Sequence, residues 1–191
     1  MNRLCDLPRG FGGFSSLEVL DLTYNNLRDS SFPGNWKFLG STLRALYMGD
    51  NDLTKFPPDI QVFKKLTVLV LRDNQIKEVP PEIAYCSNLQ QFHLQVNQIN
   101  VLPVELVRLP LLTKDFSFRL YDNPLRKEIA EQLKTGVKQM MDFLKTEDYR
   151  TLLAEFRDSE APPTVLKRDK SNKQSRKTKK KRVQPIEGCE K

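Results

Sequence analysis

Apolar positions in the middle of the chain recur on a period of 23 residues. Leu66, Leu69, Leu71, Asn74, Ile76, Val79, Pro80 and Ile83 return without a gap as Leu89, Phe92, Leu94, Asn97, Ile99, Leu102, Pro103 and Leu106. Within each copy, the apolar–x–apolar step puts two side chains on one face of a short strand, because strand side chains alternate. The polar exception, Asn74 or Asn97, falls where the chain leaves that strand. An Asn amide there can bond backbone groups of the turn and of the neighbouring copy. Pro80 and Pro103 stop the strand and open a return arm on the outer side.

The full motif, L-x-x-L-x-L-x-x-N-x-L, is that of a leucine-rich repeat. One coil cannot bury its own apolar edge, so coils stack and share a core. The expected class is α/β: a leucine-rich-repeat solenoid with a curved parallel sheet on its concave face. Further coils start at Leu17 (Leu17, Leu20, Leu22, Asn25, Leu27, then Phe32 and Pro33) and at Leu43 (Leu43, Leu46, Met48, Asn51, Leu53, Phe56, Pro57, Ile60, Phe63). The first of these carries an insert around residues 28–31. A degenerate last copy has Phe118, Leu120, Asn123 and Leu125. At the start, Asn2, Leu4, Leu7, Pro8, Phe11 and Phe14 match the second half of a coil whose strand is absent. The expectation is a shortened form or fragment that opens in mid-coil.

After Pro124 the spacing changes to three and four residues: Ile129, Leu133, Val137, Met140 or Met141, Leu144, Tyr149, Leu152 and Phe156. This predicts a helical cap over the end of the stack, weakened at Gly136 and restarted at Thr146. The expected division is repeats over 1–125, a helical cap over 126–158, and a Lys-rich tail over 159–191. The tail has almost no apolar content and is expected to be disordered.

Charge follows the same division. The chain has 191 residues and a net charge of +7. Residues 161–191 hold eleven Lys and Arg against three acids, a balance of +8, so the other 160 residues sum to −1. The high pI therefore belongs to the tail and does not argue for nucleic acid as the domain's partner. Within the tail, Lys167 and Arg168, then Lys179, Lys180, Lys181 and Arg182, suit either a bipartite nuclear-import signal or a contact with anionic lipid. Cys189 lies third from the end, so a prenylation box is not met.

No run of apolar residues is long enough for a membrane span. The N-terminal stretch has no apolar core of a secretory signal. The cysteines Cys5, Cys86 and Cys189 are few, odd in number and without C-x-x-C spacing. Cys86 falls among apolar positions of a return arm and reads as a buried reduced thiol. Together these fit a reducing, intracellular compartment.

Alternate strand positions point to the concave face, the usual binding surface of such stacks. Read across coils, one column is Asp21, Tyr47, Val70, His93 and Arg119; the next is Thr23, Gly49, Arg72, Gln95 and Tyr121; a flanking one is Tyr24, Asp50, Asp73, Val96 and Asp122. Large residues of mixed polarity tend to dominate binding energy. The expected contacts are Asp21, Tyr24, Tyr47, Asp50, Arg72, Asp73, His93, Gln95 and Arg119. His93 is the single histidine, and neither a phosphate-binding loop nor a metal-ligand cluster occurs. The reading is a non-enzymatic protein binder with no cofactor, no metal and no small-molecule substrate.

The stretches LPRGFGGFSSLEVLDLTYNNL and FPGNWKFLGSTLRALYMGDNDL, the PPDI, PPEI and LPVEL punctuation, and the helical region with Gly136-Val137 and Glu147-Asp148-Tyr149 resemble the Ras suppressor family. That resemblance implies a monomeric cytoplasmic adaptor in Ras-linked signal transduction at cell–matrix (focal) adhesions. It implies a LIM-domain partner, the adaptor PINCH, in the assembly with integrin-linked kinase and parvin. The family's N-terminal leader and first repeats have no counterpart in this sequence. The alternative is a nuclear or phosphatase-associated repeat protein acting as a regulatory subunit.

Overall fold

The computed structural model describes residues 2–160. Five three-residue strands form one parallel sheet in chain order: β1 (Val19–Asp21), β2 (Ala45–Tyr47), β3 (Val68–Val70), β4 (Gln91–His93) and β5 (Ser117–Arg119). The register keeps the sequence repeat: Leu20 stands beside Leu46, Leu46 beside Leu69, Leu69 beside Phe92, and Phe92 beside Phe118. The chain is a leucine-rich-repeat solenoid.

Each coil returns through short 3-10 turns, among them Trp36–Ser41, Ile60–Val62, Pro81–Tyr85 and Val104–Arg108. Equivalent apolar residues stack from coil to coil. Leu46, Leu69 and Phe92 are fully buried, as are Leu53, Ile76 and Ile99 on the far side of the strand. The longer coil is closed by Trp36, whose ring lies 5.1 Å from Phe32 and 5.4 Å from Phe63. Cys86 is a free thiol inside this core, and burial pushes its pKa up to about 12.

The recurrent geometry of the coil exit comes from asparagine. Asn74 Oδ1 accepts from the Leu53 N–H of the preceding coil at 3.0 Å, while Nδ2 donates to the carbonyls of Met48, Leu71 and Arg72. Asn51 and Asn97 repeat this arrangement, with Oδ1 accepting from Leu27 and Ile76. Buried amides thus satisfy backbone groups that three-residue strands leave without partners. The residue before each Asn has positive φ: Tyr24, Asp50, Asp73, Val96 and Asp122 all lie between 52° and 58°.

Beyond β5 the chain forms α1 (Lys127–Thr135), α2 (Val137–Phe143) and α3 (Glu147–Glu160). The apolar spacing runs through all three, yet the helix is broken twice. Gly136 takes φ of 143°, which an L side chain rarely adopts, and ends α1. Thr146 Oγ1 accepts from the Tyr149 N–H at 3.2 Å and caps α3. Ile129, Met140, Met141, Leu144 and Tyr149 cover the end of the repeat core. Tyr149 fixes the cap in place: its hydroxyl accepts from the Leu102 N–H at 3.0 Å and donates to the Leu102 carbonyl.

Candidate functional site

Two columns on the concave side of the sheet alternate with the core-facing Leu20, Leu46, Leu69 and Phe92, though Ala45 and Val70 within them are buried. One is Asp21, Tyr47, Val70, His93 and Arg119. The other is Val19, Ala45, Val68, Gln91 and Ser117, two residues earlier on each strand. The sequence reading omitted the second column. Alternation alone would have found it, because the two columns flank the same inward residue. This column adds apolar surface at Val19, 58% exposed, and at half-buried Val68, and polar surface at Gln91 and Ser117.

Four expected contacts form one cluster. The Arg72 guanidinium reaches Asp73 at 2.5 Å and Asp50 at 2.9 Å through one nitrogen, and donates to the Tyr24 hydroxyl at 3.3 Å through the other. Its carbon sits 5.7 Å from the centre of the Tyr24 ring, in cation–π range. The hydrogen bond to Tyr24 holds the guanidinium charged against the opposing effect of burial, and Asp73 and Asp50 reinforce it. Glycine at 49 permits this span: a Cβ there would stand 3.1 Å from Arg72 Cγ. Arg72 thus ties together the exits of three consecutive coils.

His93 and Arg119 are register partners on β4 and β5. His93 Nε2 lies 3.0 Å from Ser117 Oγ. Burial, then the positive charges of Arg119 and Arg72, hold the His93 pKa below its ordinary value, so the ring is neutral at pH 7. Arg119 is exposed. Asp21 is exposed at the β1 end, where its Oδ1 accepts from the Thr23 N–H at 2.9 Å, and Tyr47 is half-buried between them.

Gln95 departs from the expectation. It is 4% exposed, and its Oε1 has no hydrogen-bond partner. Side chains converge on the inside of a curved sheet, so a mid-stack residue in the Arg72 column loses its surface to its neighbours. Val70, in the same region, is also buried. Lys167, Arg168, Lys179, Lys180, Lys181 and Arg182 lie outside the described residues. Among the described residues no group of three or more His, Cys, Asp or Glu could hold a metal ion, and no helix is long and apolar enough to cross a membrane.

The family model described as Leucine Rich repeat matches residues 15–31. The chain is 49% identical to Ras suppressor protein 1 of Homo sapiens over 151 residues, covering 79% of this chain and 54% of the human protein. It is 47% identical to Ras suppressor protein 1 of Bos taurus, covering 78% of this chain and 53% of that protein. The chain thus spans about half the length of the curated relatives it matches. Among solved structures, a leucine-rich-repeat protein of Leptospira interrogans superposes with a TM-score of 0.60 at 27% identity, over 72% of this chain and 34% of that one. The leucine-rich-repeat ectodomain of the plant membrane receptor kinase GASSHO1/SCHENGEN3 of Arabidopsis thaliana superposes with a TM-score of 0.55 at 27% identity, over 65% of this chain and 15% of that one.

Proposed function

We propose that the chain is a non-enzymatic scaffold whose concave face binds a protein partner. The observation that carries this reading is the face itself. It offers apolar Val19 and Val68 beside Tyr47, His93 and Arg119, on a rigid sheet whose backbone exits are locked by asparagine. Rigid aromatic and cationic residues around an apolar patch are what protein interfaces use as anchors. The similarity to Ras suppressor protein 1 supports a finer version. In that version the partner is a LIM domain of the adaptor PINCH, the chain acts as a monomer in the cytoplasm at cell–matrix adhesions, and it dampens Ras signalling.

The geometry divides the expected contacts into two roles. Arg72 pairs with Asp50 and Asp73 and donates to Tyr24, so the first task of these four is to hold the coils in register. Tyr47, Arg119 and Asp21 have free surface for a partner. The test is a pull-down with the LIM region of PINCH. The expected result is capture by the parent chain and loss with Tyr47→Ala combined with Arg119→Ala. No capture by the parent, or equal capture by the double variant, would remove this reading.

A further inference from the structure

The return turns form a second row, across the core from the sheet: Phe11–Gly13 lies against Trp36–Ser41, followed by Ile60–Val62, Pro81–Tyr85 and Val104–Arg108. Large apolar side chains stand out along this row. Phe38 is 63% exposed, and Phe14, Tyr85 and Leu112, each on a different coil, are all more than half exposed. Beside Phe38 lies an open groove of about 520 Å³, walled by Phe38 and Val62 and edged by Lys37, Lys64 and Lys65. No carboxylate lines it. None of the three lysines has an ion-pair partner among the described residues.

Phe38 follows buried Trp36 and precedes buried Leu39, so its backbone is anchored while its ring faces outward. An anchored phenyl ring among unpaired ammonium groups on a shallow surface has the chemistry of an anionic lipid interface. The ring enters the boundary between headgroups and acyl chains, and lysines reach the phosphates on flexible apolar stems. We infer that this face docks on an anionic phospholipid bilayer, with Phe38 inserted and Lys37, Lys64 and Lys65 against the headgroups. The concave sheet stays open to a partner while the opposite face holds the membrane.

The basic tail would itself attract anionic vesicles, so the test uses the full chain with Lys167, Arg168, Lys179, Lys180, Lys181 and Arg182 changed to Gln. The assay is co-sedimentation with phosphatidylcholine vesicles with and without about 30% phosphatidylserine, a strongly anionic surface. The tail-neutral chain is expected to sediment with the serine-containing vesicles only. Adding Lys64→Gln and Lys65→Gln should lower partitioning about 25-fold, at about fivefold per lysine. A Phe38→Trp reporter should shift its emission to the blue on these vesicles and be quenched by brominated lipid, against a constant background from buried Trp36. Phe38, Lys64 and Lys65 are exposed, and matching thermal melts check that the variants are folded. Absence of sedimentation by the tail-neutral chain, equal binding to pure phosphatidylcholine, or unchanged partitioning of the lysine variant would overturn the inference. So would a Phe38→Trp emission that does not move. Binding of a Glu-rich peptide in place of vesicles would assign the face to an acidic protein segment and also overturn it.

Discussion

Replacing Asn74 by Ala tests what locks the coils together. Asn74 is 8% exposed, and its Oδ1 is the acceptor for the N–H of Leu53, itself fully buried. Truncation leaves that N–H without a partner in a site closed to water, at a cost of about 1–3 kcal/mol. The Met48, Leu71 and Arg72 carbonyls each lose one donor but keep another, from Asn51 Nδ2, Asn97 Nδ2 and the Asp50 N–H, so the orphaned Leu53 N–H carries most of the cost. With the lost amide packing, the expected total is about 2–4 kcal/mol. The equivalent residue on the first strand's coil provides the control. Asn25 Oδ1 accepts from the Leu4 N–H, but Leu4 is 46% exposed, so water can replace the amide. Asn25→Ala should therefore cost under about 1 kcal/mol. Urea unfolding of both variants, followed by far-UV circular dichroism, gives the comparison. Equal losses, or a loss under about 1 kcal/mol for Asn74→Ala, would refute the argument that burial of the ladder makes it stabilising.

Three further outcomes follow from particular residues. Val96 is β-branched at φ of 57°, where the other coils carry Asp or Tyr, so Val96→Asn should stabilise the fold by about 1 kcal/mol in the same urea assay. His93 has a folded-state pKa below its ordinary 6.5, first from burial and then from Arg119 and Arg72, so the unfolded chain binds its proton more readily. Stability should then fall as pH drops through about 6.5 and level off below the folded pKa, and His93→Gln should flatten that part of the profile. Gly49→Ala brings a Cβ to 3.1 Å from Arg72 Cγ, so the guanidinium should leave Tyr24, read as a changed Tyr24 ring shift in NMR spectra with a loss of about 1 kcal/mol.

The repeat architecture was legible because a strict period leaves little freedom. Each L-x-L step fixes a strand face, and an Asn at the coil exit has the amide that the backbone groups of two neighbouring coils need. The helical region was legible only as a stripe of apolar residues. Spacing carries no information about a backbone break, and the φ of 143° at Gly136 turns one periodic segment into separate helices. The site was legible in outline. Columns could be read off by alternation, but long side chains reach across them, so the Arg72 cluster spanning three coils had no sequence signal. Gln95 fell short for the opposite reason: polarity suggested an exposed contact, while crowding on the inner curve buried it. The column from Val19 to Ser117 follows from the same alternation, but its small or aliphatic members, Val19, Ala45 and Val68, carry no polarity that marks them as contacts.

The central claim is that binding belongs to the concave sheet. Calorimetric titration of the chain with the PINCH LIM region, using one pair of substitutions on each face, tests it most directly. Tyr47→Ala with Arg119→Ala alters the sheet; Gln61→Ala with Glu82→Ala alters the outer groove of about 710 Å³. The account predicts that the sheet pair weakens binding at least about 30-fold, since hot-spot truncations cost about 2 kcal/mol or more, and that the outer pair leaves it unchanged. Loss of binding with the outer pair while the sheet pair binds like the parent would contradict it.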